Sequence, residues 1–581
     1  MGMGVRPAWA QWGWGQGCCL HIALRITPTP IASPFVTRAP PPDVYTDLWR
    51  AGVIGDPLEA YGDWKTAWAG RTSWRYRRTF SVDGAVLAAA AEVLLVAEGL
   101  ETNATVAVNG RALLAADDSW VRYTVPVGSL LKTPSKAGGA SEGNTITVTF
   151  SSVYDSCMFS DPAHSNVTCT GRVYVRQAAS SWGWDWVKRY SPQGIWRPIY
   201  LVVVPASGAR NVSSASPDST ATSNSILIAG AAAAVTDMGA IVRPRPGQPA
   251  AASAFDVDVV VSVVATAAQS AQIELRGDWA GTTATTHTVA LMAGSNSVSL
   301  ATTAEGVELW WPAGYGTQRL YNLTATLITG GGRHKDGGTT RALGFRSVRL
   351  QTDAGAAAPG DSAGSGNATM TLLVNGVPVL VRGSSLVPLE TFNGRTSGAR
   401  ALRLLRSTLA ANMNTLRVWG GGSFLPPAFY AMADQLGVMV MHDFMLSWYP
   451  NVPYPAFPAF RARVAAEVRQ QLTVLAHHPA IVMWTGGNED QCTRCGGGKC
   501  VRHVTVIAST ECCCLCSCCS SCLLLLLPTA VAACQLHCCS ANATPYPSTA
   551  VMPLLLVSTT FVCHPVVHHC SCIHAAALDH V

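Results

Sequence analysis

The residues best placed to do chemistry in this chain end a short apolar run, Ile481-Val482-Met483-Trp484-Thr485-Gly486-Gly487-Asn488-Glu489. A run of this kind, closed by a small-residue turn, reads as a buried parallel strand delivering an amide, Asn488, and a carboxylate, Glu489, to a barrel mouth. Other strand ends in the same region carry Arg382-Gly383-Ser384, Arg417 and Trp419 with Gly420-Gly421-Gly422, and His442-Asp443. Such a set offers carboxylate chemistry in a concave polar mouth, with a guanidinium, an amide and an indole nearby. Convergence of strand ends is how a barrel assembles a site, so their agreement outweighs any one residue. The structural alternative for a lone acid at a strand end is a salt bridge, above all for Asp443.

The elements that must position these residues follow a Gly/Ala/Ser linker at 354–366. Val379-Leu380-Val381, opened by Pro378 and closed by Arg382-Gly383, predicts a buried strand. Helical spacing of leucine predicts a helix from Ala399 to Ala411. Strands are then expected at Thr415 to Trp419, Val438 to Phe444 and Ala480 to Trp484, with helices at Pro427 to Leu436 and Phe460 to Ala476. Strands alternating with helices imply parallel βα units, and these amount to half of an eight-stranded barrel.

Upstream the pattern is different. From about 45 to 205, short β-rich runs such as Trp74 to Phe80, Thr105 to Val108 before Asn109-Gly110, and Thr145 to Phe150 have the rhythm of an antiparallel sandwich. A second β-rich stretch, 206 to 350, has Phe255 to Val264 and Leu320 to Ile328 as its clearest strands and the length of one immunoglobulin-like module. Residues 1–44 read as an irregular Trp/Gly/Pro-rich segment without a clear signal peptide.

A chain of 581 residues with a formal charge of +6 and only 13% charged residues carries a weak field rather than a basic patch, which argues against nucleic acid. Leu523 to Leu527 is too short a run to cross a bilayer, so no membrane partner is expected. Cysteine is uneven: Cys18, Cys19, Cys157 and Cys169 lie before 491, and the other 16 of the 20 lie in 491–581. A Cys157–Cys169 bridge and sequons at Asn103, Asn166, Asn211, Asn322, Asn367 and Asn542 lean towards a secretory, lysosomal or vacuolar route.

The motifs together carry a resemblance. Asn414-Thr415-Leu416-Arg417-Val418-Trp419-Gly420-Gly421-Gly422, His442-Asp443-Phe444-Met445, His478-Pro479-Ala480-Ile481 and Trp484 to Glu489 resemble the barrel motifs of glycoside hydrolase family 2, and of its β-mannosidases in particular. Trp182-Gly183-Trp184-Asp185-Trp186 with Gly194-Ile195-Trp196-Arg197-Pro198 is similar to elements of the family's galactose-binding-like first domain. Leu309-Trp310-Trp311-Pro312, Gly314-Tyr315-Gly316 and Gly344-Phe345-Arg346 resemble its second domain and the entry to its barrel. The fold class implied is multidomain: a jelly-roll-like β-sandwich (45–205), an immunoglobulin-like β-sandwich (206–350) and an incomplete (β/α)8 TIM barrel (351–490).

The resemblance implies a retaining, exo-acting hydrolase that removes terminal β-linked mannose from an oligosaccharide or glycan, with no cofactor and no metal. That chemistry uses two carboxyl groups about 5–5.5 Å apart. Glu489 matches the acid/base, which must be protonated before the leaving group departs, so burial or a partner carboxylate is expected to raise its pKa. Asn488 matches the amide that holds the 2-hydroxyl. Arg417 would orient a catalytic carboxylate, Trp419 would wall the sugar face, Asp443 would complete the strand-end set, and Trp184 with Asp185 would reach in from the first domain. Core packing is the plain alternative for Trp182 and Trp186.

The chain departs from the family pattern in places. Ser385-Leu386 stands where the family tends to have Asn-Trp, Met441-His442 where it has Trp-Gln, and Glu390 where Asp is common, so a sugar-facing aromatic is missing. The nucleophile should be a Glu ending a seventh strand, yet after Asp490 the only acids are Glu511 and Asp579. The expectation is that 491–581 is out-of-frame or retained non-coding sequence and that the chain as written cannot complete double displacement. Three rival readings share these residues: an exo-β-glucosaminidase or endo-β-mannosidase of the same family, a non-catalytic carbohydrate-binding remnant, and a zinc protein using Cys492, Cys495, Cys500 and His503.

Overall fold

The computed structural model describes residues 20–23, 43–82, 84–132, 143–154, 174–206, 225–227, 233–250, 253–281, 284–332, 334–335, 338–353, 369–447, 454, 458–489, 491–495, 498–501 and 505–506. The Cys157–Cys169 pair, the sequons at Asn166, Asn211, Asn367 and Asn542, the linker at 354–366, His503 and Glu511 lie outside them. By contacts the chain forms two compact units, Met1–Arg349 with Leu373–Leu525, and Leu350–Leu372 with Leu526–Val581. Within the second unit the described residues are 350–353 and 369–372, both in strand. All that follows concerns the first.

Two β-sandwiches come first. Trp74–Phe80, Asn144–Phe150, Ala104–Val108 and Arg111–Ala116 form one sheet. Tyr123–Pro126, Ala90–Ala97 and Ile199–Pro205 form the sheet opposite. Alternation puts Trp74, Tyr76, Val106, Val148 and Phe150 on the inner face of the first and Val93, Leu95, Leu201 and Val203 on that of the second, in one core. The Asn109-Gly110 hairpin is present, with φ of +50° and +84°, the left-handed pair that its two-residue turn requires.

This sandwich also holds elements that the β-rich pattern did not announce. Leu20–Ala23, inside the segment read as irregular, runs parallel to Trp74–Arg77 and extends the sheet edge. Helices Val44–Arg50 and Gly62–Arg71 precede the first long strand. Asp43 caps the former, accepting from the Thr46 amide at 2.9 Å. Ser225–Leu227, past residue 205, pairs with Leu201–Val203.

The second sandwich sets Ala233–Pro244, Phe255–Ala265 and Gly294–Ala304 against Thr285–Leu291, Gln269–Gly277, Tyr321–Thr329 and Thr339–Leu343. Phe255, Val257, Val259, Val261 and Val263 point one way along a single strand and close its core with Ile273, Leu323 and Phe345.

Then the period changes. Four parallel strands, Gly383–Leu386, Thr415–Val418, Met439–Asp443 and Ile481–Thr485, lie side by side in chain order. Helices Gly398–Ala410, Pro427–Leu436 and Pro458–Leu475 connect them, as βα units do. The first parallel strand is Gly383–Leu386 rather than Val379–Val381. Val377–Val379 lies outside the parallel sheet and is reached through Asn375-Gly376, whose φ values of +52° and +79° again mark a tight turn. Leu380 and Val381 are exposed; apolarity alone misplaced the strand. Thr505–Val506 adds an antiparallel pair to the far edge. No helix among the described residues is long and apolar enough to cross a membrane.

Candidate active site

The carboxyl ends of the second, third and fourth parallel strands meet at Asp443. Its side chain is fully buried. Arg417 grips it with Nη2 to Oδ2 at 2.7 Å and Nε to Oδ1 at 3.3 Å. The Gly420 amide donates to Oδ2 at 3.0 Å, and the Thr485 hydroxyl donates to Oδ1. The register explains the convergence, because Asp443 pairs with Thr485 across adjacent strands and Arg417 lies one strand over. Asp443 therefore does form the salt bridge that a strand-end acid allows. A glycine is required at 420, where a Cβ would stand 2.3 Å from the Leu446 carbonyl and 2.8 Å from that of Phe444.

Arg417 also donates from Nη2 to Oδ1 of Asn488 at 3.0 Å. Its hydrogen-bond partners among the described residues are thus Asp443 and Asn488. With Oδ1 occupied by a guanidinium, Asn488 must present Nδ2 as a donor. That group reaches Glu489 Oε2 at 3.3 Å and Ser447 Oγ at 3.4 Å. The Asn488 amide donates to the Leu446 carbonyl at 2.9 Å, pinning the turn to the strand-three loop.

Glu489 itself is exposed, so the burial expected of it is not found. Its φ is +54°, a left-handed conformation that costs a non-glycine residue on the order of 1 kcal/mol. Strain of this kind is retained where the surroundings fix it, and here the Asn488 anchorage does so.

Aromatic side chains flank the cluster. Trp419 is buried, and Trp184 meets it edge to face with centroids 4.8 Å apart. Trp186, 43% exposed, stands 6.1 Å from Trp419. The first sandwich thus reaches the strand ends, where Ser180 donates to the Gly421 carbonyl at 2.9 Å and Trp120 Nε1 to Ser423 Oγ at 3.0 Å. Trp182 is core, packed with Val153 and Val175. Asp185 faces solvent despite its tryptophan neighbours.

His442 belongs to the interior. It lies between Phe424 and Trp484, donates from Nδ1 to the Asp443 carbonyl at 2.7 Å and accepts from the Tyr430 hydroxyl at 2.8 Å. Burial pushes its pKa down to about 4, so it is neutral. Thr485, Ser447 and the Gly420 amide were not singled out from sequence. Thr485 was legible, since the parallel register sets it opposite Asp443. Ser447 was not, because a loop closure brings it there. Among the described residues no group of three or more His, Cys, Asp or Glu is arranged to hold a metal.

Comparison with known proteins agrees with this architecture. Residues 29–197 match the glycosyl hydrolase 2 galactose-binding domain-like family, and residues 243–346 match glycosyl hydrolases family 2. Beta-mannosidase B of Thermothelomyces thermophilus is 29% identical over 456 residues, which are 78% of this chain and 47% of that protein. The crystal structure of β-D-mannosidase from Dictyoglomus thermophilum shares the fold with a TM-score of 0.61 at 24% identity, covering 76% of this chain and 49% of that one. The exo-chitosanase of Amycolatopsis orientalis shares it with a TM-score of 0.55 at 19% identity, covering 77% and 44%. The chain spans about half the length of the curated relatives it matches. The two family matches fall on the two sandwiches in order, and together with these relatives they make the chain similar to the β-mannosidases of glycosyl hydrolase family 2.

Proposed function

We propose that the site serves a retaining, exo-acting glycoside hydrolase that removes terminal β-D-mannose from oligosaccharides or glycoproteins. The observation that carries this reading is the Asn488-Glu489 turn held by the Arg417–Asp443 ion pair beside Trp419 and Trp184. In this reading Glu489 protonates the glycosidic oxygen and, as the carboxylate it then becomes, takes the proton of the incoming water. Asn488 Nδ2, its orientation dictated by Arg417, donates to the 2-hydroxyl of the sugar. That bond is worth most where charge develops at the neighbouring anomeric carbon. Trp419 and Trp184 give the apolar face of the ring its wall, and Asp185 meets the distal hydroxyls.

Asp443 is unsuited to the part of nucleophile. It is fully buried and both its oxygens are engaged by donors. The second carboxylate, about 5–5.5 Å from the first in a retaining enzyme, is assigned to none of the described residues. Turnover then depends on the remaining βα units of a closed barrel.

The test uses this chain continued into the C-terminal half-barrel of a β-mannosidase relative, assayed for nitrophenol release from p-nitrophenyl β-D-mannoside. The mannoside should be hydrolysed in preference to the β-glucosaminide. Glu489→Gln should lower kcat/KM for poor leaving groups by about 100-fold or more and spare kcat/KM for good ones, whose departure needs no acid. Equal turnover of poor leaving groups by wild type and Glu489→Gln would sink the acid/base assignment, and preference for the glucosaminide would move the substrate to the family's other branch.

A further inference from the structure

Half of the exposed large apolar side chains among the described residues lie between 49 and 68. Three of them form a row. Tyr61 is 73% exposed, Trp64 83% and Trp68 41%. Tyr61 caps helix Gly62–Arg71 and the two tryptophans follow at helical spacing, so the three rings share one face over roughly 10 Å of axis. The opposite face is anchored: Gly62, Thr66, Ala69 and Gly70 are buried. An exposed row of rings on a well-anchored helix marks a binding surface.

Its composition indicates the occupant. Tyrosine and tryptophan present flat faces on which the C–H face of a pyranose packs. Exposed Glu59 and Lys65 and half-buried Asp63 break the apolar surface with hydrogen-bonding groups, which suits a hydroxyl-rich ligand better than a close-packed protein face. The loop that leads into the helix is tied to residues near the barrel mouth. Asp56, just before the helix, receives two hydrogen bonds from Arg395 at 2.9 and 3.1 Å, and the Tyr190 hydroxyl donates to the Pro57 carbonyl at 2.8 Å. Arg395 follows the first parallel strand, on the side where the strand ends converge. Tyr190 lines a small cleft together with Trp186, Glu390, Thr391 and Asn393, and Trp186 is the neighbour of Trp419.

We propose that Tyr61, Trp64 and Trp68 are a stacking platform for the distal sugars of a β-linked oligosaccharide whose end enters the mouth beside Trp419. The proposal rests on the glycoside hydrolase reading only in taking the ligand to be a glycan. On it, the exo-acting site holds the terminal residue while the platform holds the chain leading away, so affinity grows with chain length.

Calorimetric titration of the full chain with β-1,4-mannohexaose and with methyl β-D-mannoside tests this. The hexaose should bind more tightly than the monosaccharide. A Tyr61→Ala/Trp64→Ala variant should bind the hexaose about tenfold more weakly or worse, with monosaccharide affinity and melting temperature unchanged. Failure of the wild type to bind the hexaose, or equal hexaose affinity in the variant, overturns the platform. So does a dimer in sedimentation that the variant abolishes while hexaose binding persists. If the monosaccharide does not bind but hexaose binding still depends on Trp64, the platform stands and the mannosidase reading falls.

Discussion

At the scale of single residues, Asp443 organises the strand ends and Glu489 depends on it at second hand. Arg417 is the intermediary: one guanidinium nitrogen serves both Asp443 and Asn488. Removing it as Arg417→Ala leaves a buried carboxylate with only the Thr485 hydroxyl and the Gly420 amide. Breaking a fully buried pair costs about 3–5 kcal/mol; the Arg417 side chain is 36% exposed, so solvent screening lowers the expectation to about 2 kcal/mol. Asp443→Asn in the same chain should recover part of that loss, because it removes the charge left unpaired. Urea unfolding of the four forms measures the coupling, and additive losses would show that the pair is not an energetic unit. Arg417→Ala should also free the Asn488 amide to rotate and weaken methyl β-D-mannoside binding.

At the scale of elements, the strand that carries Asn488 and Glu489 is positioned from its other end. Arg346, leaving the second sandwich, donates from Nε to the Pro479 carbonyl at 2.7 Å and from Nη2 to the Ile481 carbonyl at 2.6 Å. Asp434, on helix Pro427–Leu436, receives the Ala480 amide at 3.0 Å and pairs with His478 at 2.6 Å. Burial lowers the Arg346 pKa to about 10, yet leaves it charged at neutral pH. Arg346→Ala orphans two buried carbonyls and should cost about 3 kcal/mol. Arg346→Lys, able to satisfy one, should cost less, and equal melting temperatures for the two variants would contradict this account. The Gly344-Phe345-Arg346 motif was legible in sequence, but its partner strand was not, since 133 residues separate Arg346 from Pro479.

Which elements the sequence disclosed follows from how each is buried. Phe255–Ala265 alternates because one face is core, and Pro427–Leu436 opens with proline and closes on Gly437, left-handed at φ +72°. Helix Gly62–Arg71 was hidden for the reason that makes it interesting: its outward face is Tyr61, Trp64 and Trp68, so no polar stripe sets off the buried one. Gly383–Leu386 was hidden by its own polarity, Gly-Ser-Ser, with Gly383 closing to within 2.2 Å of the Thr415 carbonyl if given a Cβ. Glu489 stood out as a residue, whereas its exposure and left-handed backbone are products of the turn.

At the scale of the whole molecule, the seam between the first sandwich and the strand-one loop is built on buried carboxylates. Glu101 accepts from Gln177 Nε2 at 3.1 Å and from Asn393 Nδ2 at 2.9 Å, and Asp43 accepts from the Gly394 amide at 2.6 Å. Burial raises the pKa of Glu101 to about 7, against the relief of those two hydrogen bonds, and burial likewise raises that of Asp43. The sign follows from proton counting. Between about 4.5 and 7 the unfolded chain has lost the Glu101 proton and the folded one keeps it, so stability falls as pH rises through that window and levels off above it. The loss for Glu101 alone is about 3 kcal/mol. His442 acts in the opposite sense, since its pKa of about 4 against 6.5 unfolded withdraws stability as pH falls between those values. Glu101→Gln keeps one of the two acceptor oxygens and removes the titration. Denaturant midpoints at pH 5 and pH 8 should therefore differ less in Glu101→Gln than in the wild type, with the variant gaining most at pH 8. A variant as pH-sensitive as the wild type would show that the seam is held at neutral pH by something other than a protonated Glu101.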